Sequence, residues 1–410
     1  MAFLIIYGFS EGFPGHWTLL ERWISIGHKL WLISESPDQT RLNGVMRWDA
    51  MSRQAQQEPM ALPWESEQWR RAAGADGVIC LWEQSVTGAA RLANRLGLPG
   101  PDPQSAQLAR DKWLMVQRWQ SAGIRVPFTQ PIDSPESLTQ LLKRFRKIVV
   151  KPTDSGGGFG VQEVTARWPQ SDGAWDDLRT WRNVSLIAQE RIDGPEVSVE
   201  GFVDHANRYH LLGVTAKYTT VGPRFVEVGH MAPAPIDDAK LEIIHRLANQ
   251  CHDAFDLRDC VTHLEVKLSS AGPIPIELGA RVAGGAIPEI WASTGRFDLY
   301  EVARCLATGK LPVVQHSVAH AYAAVVFPTV RANWQEIVSG MDLELLDSRC
   351  RNGPTGRAIS DNSSRWQLIR VRGGGPDMVL KFIREVFRSE TGTGALGVEV
   401  VGIGFSGGVQ

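Results

Sequence analysis

The chain has 410 residues, of which 43% are hydrophobic and 21% are charged, and its formal net charge is -2. This length allows two or three domains at the usual size of roughly 100 to 200 residues each. The composition is that of a folded soluble protein and excludes a disordered chain. The near-neutral charge argues against a nucleic-acid-binding protein that depends on a basic surface.

The cysteines and the apolar runs indicate a cellular location. The five cysteines are an odd number, lie far apart and form no C-x-x-C or metal-binding Cys/His spacing, so we expect reduced thiols and a cytoplasmic protein. No apolar run approaches the roughly 18 residues that a membrane span needs. The opening run FLIIYGF has no basic segment before it. We therefore interpret it as a first buried strand and expect neither a membrane nor a nucleic-acid partner.

Strand and helix patterns alternate in the first hundred residues. An apolar strand starts at Phe3, a helix ends at Gly27, a strand begins at Lys29, and another buried strand, GVICLWE (77–83), precedes the helical segment AARLANRLG. Such alternation is typical of a parallel sheet with helices on its faces. We predict an α/β domain over residues 1–102.

The Pro- and Gly-rich stretch LPGPDPQ (98–104) marks the first domain boundary. A predicted helix, ARDKWLMVQRWQSAG (109–123), follows it, and strands with glycine loops continue to about residue 296. Beyond about residue 311 the glycine loops become sparse, and the helix VLKFIREVFRS has one apolar face. We predict a central region at 103–310 and a smaller C-terminal α/β domain at 311–410.

Two glutamates on neighbouring strands predict a metal site. In THLEVKL (262–268) apolar and polar residues alternate, which places Glu265 on the polar face of a strand. The next strand, IPIELGA, follows a five-residue loop, and pairing Leu268 with Ile274 sets Glu265 opposite Glu277. Carboxylates about 5 Å apart repel each other unless a cation such as nucleotide-bound Mg²⁺ lies between them. Two solvated surface glutamates are the alternative.

A lysine followed by a run of glycines predicts a phosphate site. In KIVVKPTDSGGGFGV (147–161) an apolar strand reaches Lys151, and the glycine-rich loop follows. Glycines allow backbone N–H groups to converge on a phosphate, and the lysine adds positive charge. An ordinary hairpin loop is the alternative. The chain contains no P-loop motif, and the G-x-G-x-x-G match at 402–407 leaves three residues for the helix that a dinucleotide site requires, so we expect none there.

The stretch SLIAQERIDGPEVSVEGFV (185–203) contains two strands joined by Asp193-Gly194-Pro195. Free backbone groups between Gln189 and Ile192 can pair with an adenine edge, and Glu196 can accept hydrogen bonds from ribose hydroxyls. A hairpin without a ligand is the alternative.

Six stretches in this order resemble the ATP-grasp superfamily and, within it, the amino-acid ligases. They are RDK (110–112), IVVKPTDSGGGFGV, IAQERIDGPEVSVEG, FVEVGH (225–230), THLEVK and PIELGARVAGG (275–285). The resemblance covers about residues 105–300. It implies an ATP-grasp fold, α/β with an α+β central part, in which a mobile lid subdomain (about 125–190) covers the nucleotide.

The resemblance implies a set of ATP-binding residues, carried over position by position. The phosphates would be held by Lys112, Lys151 and the loop formed by Ser155, Gly156, Gly157 and Gly158. The adenine would meet Gln189 and the backbone of Glu190 and Ile192, and the ribose would meet Glu196. Gln189 departs from the family, which often has Glu at this position.

The resemblance also implies the metal, catalytic and substrate-binding residues. Glu265 and Glu277 would bind Mg²⁺, which Mn²⁺ could replace, in agreement with the hairpin argument. Lys151 and Arg281 would stabilise the charge that develops during phosphoryl transfer. The amino-acid pocket would be lined by Glu227, His230, Arg281 and Gly285. In this pocket Glu227 suits an ammonium group, and Gly285 leaves added room. Gly279 departs from the family, which often has Asn there as a further ligand of a second Mg²⁺.

The implied activity is that of an L-amino-acid ligase. ATP would phosphorylate a carboxylate, and an amine would attack the acyl phosphate to give a dipeptide or a close relative, with ADP and phosphate released. The partners would be small-molecule amino acids, and a homodimer is an assembly that we consider. Two alternatives stay open: a biotin-carboxylase-like or purine-pathway ligase with another acceptor, and a non-catalytic ATP-binding protein.

Overall fold

The structure is a computed structural model. It describes residues 1–9, 14–34, 45–50, 66–166, 185–222, 224–314, 321–328, 333–350, 365, 367–392 and 400–403. Among these residues, no helix is both long and apolar enough to cross a lipid bilayer. Most of the predicted G-x-G-x-x-G match at 402–407 lies outside the described residues.

The first sheet is parallel, as predicted. Its described strands are β1 (Phe3–Tyr7), β2 (Lys29–Ser34), β3 (Val45–Ala50) and β4 (Gly77–Ile79), in the order β3-β2-β1-β4. The accompanying helices are α1 (Pro14–Ser25), α2 (Ser66–Ala72) and α3 (Val86–Leu96). The predicted strand 77–83 is too long, because pairing ends at Ile79 and residues 83–85 form a 3₁₀ turn. This turn places Glu83 beyond the carboxyl end of β4.

The predicted helix 109–123 is instead part of two helices, α4 (Pro103–Arg110) and α5 (Lys112–Ser121). Asp111 between them is extended, with φ -94° and ψ 113°, and its carboxylate accepts hydrogen bonds from the N–H groups of Trp113 and Leu114. An aspartate that caps the next helix competes with continuation of the previous one. The break places Lys112 at the first position of α5.

A small antiparallel sheet carries the glycine-rich loop. Its described strands are β5 (Thr129–Ile132), β6 (Lys147–Pro152), β7 (Gln162–Thr165) and β8 (Leu186–Glu190), in the order β5-β8-β6-β7. Helix α6 (Pro135–Arg144) buries Leu138 and Leu141 against this sheet in a separate apolar cluster. The glycine-rich loop joins β6 to β7.

The largest sheet contains the described strands β9 (Glu196–Val203), β10 (Tyr209–Thr220), β11 (Glu227–Ala232), β12 (Cys260–Ser269), β13 (Gly272–Gly279), β14 (Tyr322–Val326), β15 (Glu344–Cys350), β16 (Gln367–Gly373) and β17 (Val400–Val401). Its order is β13-β12-β9-β10-β11-β14-β16-β15, and β17 pairs with β10. The helices in this part are α7 (Asp238–Asp253), α8 (Ile287–Ser293), α9 (Leu299–Ala307), α10 (Trp334–Ser339) and α11 (Pro376–Gly392). The main apolar core includes residues of this sheet together with Trp119 of α5, Cys251 of α7 and Phe382 of α11.

Sheet membership changes two of the predicted relations. Strands β8 and β9 are not a hairpin, because β8 belongs to the small sheet and β9 to the large one, so residues 191–195 connect two sheets. Strands β14 to β16, from the predicted C-terminal domain, extend the large sheet beyond β11. The domain boundaries at 102 and 310 therefore stay predictions.

Candidate active site

Glu265 and Glu277 face each other across β12 and β13, as predicted. The predicted hairpin register that led to this pairing is wrong, because Leu268 pairs with Pro273 and Ile274 pairs with Lys267. The hairpin loop is also shorter than five residues, since β12 ends at Ser269 and β13 starts at Gly272. A β-bulge between Glu265 and Val266 shifts the register by one residue and brings the two carboxylates opposite each other.

Lys112 links the carboxylate pair to the glycine-rich loop. Its side chain is 3% exposed, its Nζ lies 3.0 Å from Glu277 Oε1, and it donates a hydrogen bond to the carbonyl oxygen of Ser155. The loop contains Gly157 and Gly158 at φ 65° and 75°, in the left-handed region that favours glycine. The buried Ser155 hydroxyl has no hydrogen-bond partner among the described residues. The loop thus keeps a donor for a ligand beside a lysine.

Lys151 is buried at the end of β6. Burial lowers the pKa of its ammonium group to about 8, although the negative charge of Glu277 opposes this shift. The positive charge of Lys112 adds to the lowering. Such a lysine is positively charged at pH 7, and the surrounding carboxylates do not fully compensate its charge. It is therefore suited to bind an anion.

Lys217 of β10 joins three residues that were predicted to have separate tasks. Its Nζ lies 2.7 Å from Glu196 Oε1 and 2.9 Å from Glu227 Oε1, and it donates a hydrogen bond to Glu265 Oε1. The side chain is 2% exposed. Burial alone would lower the pKa of Lys217, but the three carboxylates raise it well above its usual value. The predicted ribose, substrate and metal carboxylates therefore meet at one ammonium group.

Arg281 is held by the N-terminal α/β part of the chain. Its Nε donates to the Glu83 carboxylate, and its Nη1 donates to the carbonyl oxygen of Val282 at 2.7 Å. Glu83 Oε1 also lies 3.6 Å from Nη1 of Arg110. A Cβ atom on Gly156 would lie 2.9 Å from Glu83 Cγ, so the glycine-rich loop packs directly on this glutamate. The 3₁₀ turn thus connects the arginine to the loop.

Glu227 and His230 lie on β11 beside Gly285. His230 Nδ1 donates a hydrogen bond to the Gly285 carbonyl oxygen at 2.9 Å, and its Nε2 lies 3.5 Å from Glu227 Oε2. The expectation of added room at Gly285 is wrong, since a Cβ atom there would lie 2.5 Å from His230 Cε1. The imidazole occupies that space. Arg365 Nη1, from the C-terminal part, lies 3.5 Å from Glu227 Oε2, and its guanidinium covers the Phe327 ring at 3.9 Å.

Behind Glu265 lies a buried carboxylate that the sequence analysis overlooked. Glu200 of β9 is 0% exposed and is the register partner of His263 on β12. The two side chains approach to 3.1 Å between Nδ1 and Oε2, and His263 Nε2 lies 3.5 Å from Glu265 Oε1. Burial alone would lower the pKa of His263, but the charges of Glu200 and Glu265 raise it to about 9.

The predicted adenine-binding residues lie at the end of β8. Gln189 is buried, and its side-chain amide donates to Thr129 Oγ1 at 3.0 Å. The Glu190 N–H donates to the Phe128 carbonyl oxygen at 2.8 Å, so this donor is already used by the protein. Ile192 follows in the segment that connects the two sheets. The role of these residues at an adenine edge stays a prediction.

Comparison with known proteins agrees with this arrangement. Residues 145–289 match the ATP-grasp domain family, a range that contains the glycine-rich loop, both carboxylates of the predicted metal site and Arg281. The fold is shared with the crystal structure of L-amino acid ligase from Bacillus licheniformis, with a TM-score of 0.76, 20% sequence identity and coverage of 95% of this chain and 97% of that chain.

The chain has the ATP-grasp fold.

Two further similarities place this ATP-grasp chain among known proteins. Alanine--anticapsin ligase of Bacillus subtilis (strain 168) is 27% identical over 241 residues, which are 53% of this chain and 51% of that protein. The chain thus spans about half the length of this relative. Phosphoribosylglycinamide synthetase from Anaerococcus prevotii shares the fold, with a TM-score of 0.67, 16% identity and coverage of 98% of this chain and 99% of that chain.

The donor set of this ATP-grasp site fits a nucleotide with a divalent cation. Carboxylate oxygens are the ligands that Mg²⁺ and Mn²⁺ prefer, and Glu265 and Glu277 supply them from directly opposed positions. In the structure each of the two carboxylates contacts a lysine ammonium group instead. Among the described residues no three His, Cys, Asp or Glu side chains are already clustered as a metal site. Phosphate oxygens and water would therefore complete the coordination.

Proposed function

We propose that this protein is an ATP-dependent carboxylate–amine ligase that joins two amino acids. The observation that carries the proposal is the opposition of Glu265 and Glu277 beside Lys112 and the glycine-rich loop, on an ATP-grasp fold. The similarity to an L-amino acid ligase and to alanine--anticapsin ligase supports amino acids as the substrates.

The proposed reaction has two steps. A substrate carboxylate oxygen attacks the γ-phosphorus of ATP, the bond from the γ-phosphorus to the bridging oxygen breaks, and ADP leaves. The amine of the second substrate then attacks the acyl carbon, loses a proton, and displaces phosphate to form the amide. A carboxylate does not react with an amine directly at neutral pH, because its oxygen is a very poor leaving group.

The side chains of this chain supply positioning and positive charge. Lys112 and Lys151 would bind the phosphates, and Arg281 would stabilise the negative charge that accumulates on the transferred phosphoryl group and on the tetrahedral oxyanion. A divalent cation held by Glu265 and Glu277 would neutralise phosphate charge. The glycine-rich loop would exclude water, which otherwise hydrolyses an acyl phosphate.

Lys217 partly neutralises the carboxylates of the proposed site. Three carboxylates surround this one ammonium group at the centre of the large sheet. Glu227, the predicted ammonium-binding residue, also contacts Arg365, so two cationic side chains share its charge. A substrate ammonium group would therefore have to compete with or displace a side-chain contact at Glu227. The carboxylate group of an amino-acid substrate would instead bind Arg365, which lies beside Glu227.

The test is ADP and phosphate release from ATP and Mg²⁺ across single and paired amino acids, with mass spectrometry of the products. We expect turnover that depends on a pair, with a product mass equal to the sum of the two substrates less one water. Turnover with another carboxylate or acceptor would support the biotin-carboxylase-like or purine-pathway alternative. ATP binding without turnover on any acceptor would support the non-catalytic alternative.

A further inference from the structure

The buried pair Glu200 and His263 takes no part in the reaction proposed above. Both side chains lie inside the large sheet, where an ionised carboxylate is costly to bury unless it is fully paired. An apolar pair of similar volume would fill the same space at lower cost. The position of this pair directly behind Glu265 therefore calls for a functional reason.

Two hydroxyl groups hold the Glu200 carboxylate in addition to the histidine, which contacts both of its oxygens. Ser198 Oγ donates to Glu200 Oε1 at 2.6 Å, and Thr215 Oγ1 donates to the same oxygen at 3.2 Å. Thr215 Oγ1 in turn accepts a hydrogen bond from Trp291 Nε1 at 2.8 Å. The carboxylate thus accepts hydrogen bonds from hydroxyl groups on β9 and β10, and Trp291 of α8 fixes the second of these hydroxyls. It thus provides a rigid support for the imidazole.

The imidazole transmits this support to the proposed metal site. His263 Nδ1 contacts Glu200, while Nε2, on the opposite side of the ring, lies 3.5 Å from Glu265 Oε1. Lys217 Nζ contacts the same oxygen, Oε1, of Glu265. Among the contacts given by the described residues, both cationic contacts of Glu265 therefore fall on Oε1. This arrangement leaves Oε2 for another cation.

The residue opposite His263 on β13 has no side chain. His263 is the register partner of Gly279 on β13, two residues along the strands from the Glu265 and Glu277 pair. Side chains two residues apart on a strand point to the same face, so His263 and Glu265 share a face of the sheet. The imidazole thus lies next to the carboxylate pair with no side chain facing it from position 279.

We infer that His263, supported by Glu200, is a positioning residue that fixes Glu265 through Oε1 and so directs Oε2 toward the divalent cation. This inference depends on the proposed function in one respect, because it takes Glu265 as a metal ligand. Outer groups that orient metal ligands typically contribute about 10- to 100-fold to metal affinity or activity.

The test measures metal binding directly and needs no amino-acid substrate. The full chain, saturated with a non-hydrolysable imido analogue of ATP, is titrated with Mn²⁺. Free Mn²⁺ is measured by electron paramagnetic resonance. We expect His263→Leu to raise the Kd for Mn²⁺ about 10- to 100-fold, with analogue binding in the absence of Mn²⁺ unchanged. His263→Gln, which keeps a donor toward Glu265, should recover part of this affinity, and Glu200→Gln should lose an intermediate amount.

His252 provides the matched control. It is also a buried histidine packed against β12, where its Nε2 lies 2.9 Å from Thr262 Oγ1, but its contacts with the described residues do not include a carboxylate of the proposed metal site. His252→Leu should therefore lower the thermal midpoint without changing Mn²⁺ affinity. If His263→Leu does not fold, the Mn²⁺ affinities of His263→Gln and Glu200→Gln test the inference.

Two results would overturn the inference. One is that the His263 and Glu200 variants fold and bind Mn²⁺ with the affinity of the wild type. The other is an equal loss of affinity in His252→Leu, because both variants would then act only through the stability of the sheet. Either result leaves the ligase proposal intact, which fails separately if the wild type forms no product. A wild type that binds no Mn²⁺ would overturn both the inference and the metal site.

Discussion

Replacing Lys217 with methionine removes the ammonium group that three carboxylates share while keeping most of the side-chain volume. The group lies within 2.9 Å of Glu196 and Glu227 and donates a hydrogen bond to Glu265. Removing one partner of a buried ion pair costs about 3–5 kcal/mol, because the remaining charge is left uncompensated. With three carboxylates left behind, we expect a loss of stability at the upper end of this range.

The assay is the thermal midpoint of the chain without ligands at pH 7. An unfolding entropy of about 2 cal/mol/K per residue converts about 3–5 kcal/mol into a decrease of about 4–6 °C for a chain of 410 residues. Lys267→Met is the matched control. Its ammonium group contacts Glu196 at 3.1 Å as its single carboxylate among the described contacts, and its side chain is 13% exposed against 2% for Lys217, so we expect a smaller decrease than in Lys217→Met.

The effect should also depend on pH. Burial by itself would raise the pKa of Glu265, but Lys217 and His263 hold it well below its usual 4.5. The stability from this carboxylate is therefore complete above pH 4.5 and is lost as the pH falls through the lower value of the folded state. In Lys217→Met the carboxylates take up protons at higher pH, so the difference from wild type should shrink between pH 7 and pH 4.5. Equal midpoints for Lys217→Met and Lys267→Met at pH 7 would refute the reasoning.

Three further predictions concern the metal, the nucleotide and the substrate. Glu265→Gln or Glu277→Gln should lower Mg²⁺-dependent ADP formation at least about 10- to 100-fold, the loss typical of groups that only orient a metal ligand, measured by a coupled assay; activity within a factor of two would contradict the metal role. Lys151, with a pKa of about 8, should lose its proton as the pH rises, from about 90% charged at pH 7 to about 10% at pH 9; calorimetry should show weaker ATP binding at pH 9, and this pH dependence should be largely lost in Lys151→Met. Gly285→Ala places a methyl group 2.5 Å from a buried imidazole carbon, so it should raise the KM for amino acids but not for ATP, whereas Gly284→Ala, whose methyl group would meet no atom of the described residues within 4 Å, should change neither.

The sequence was sufficient for the features that a short segment contains. Period-two alternation identified the strand that carries Glu265, and the glycine run identified the loop that follows Lys151. The resemblance of six ordered segments identified the ATP-grasp fold, which the family match and the shared architecture confirm. These signals are local because side-chain direction on a strand and the backbone freedom of glycine depend on a few neighbouring residues.

Local patterns failed where backbone geometry departs from regular pairing. The β-bulge beside Glu265 made the predicted register wrong while the predicted pair of carboxylates was right. The cap at Asp111 divided a segment that has helical periodicity on both sides. The space at Gly285 was misjudged, because the ring that fills it belongs to His230, which is 55 residues away in sequence.

By itself, the sequence determined the fold family, the glycine-rich loop and the identity of the two opposed carboxylates. Only the tertiary structure decided which charges neutralise them. Lys217 contacts Glu265 across 48 residues of sequence, His263 contacts Glu200 across 63, and Arg281 contacts Glu83 across 198. These pairs arise from the order of strands in the large sheet and from the packing of the 3₁₀ turn after β4 on the glycine-rich loop. A buried charge is stable only beside a compensating partner, and the partner is fixed by the fold rather than by the neighbouring residues in the chain.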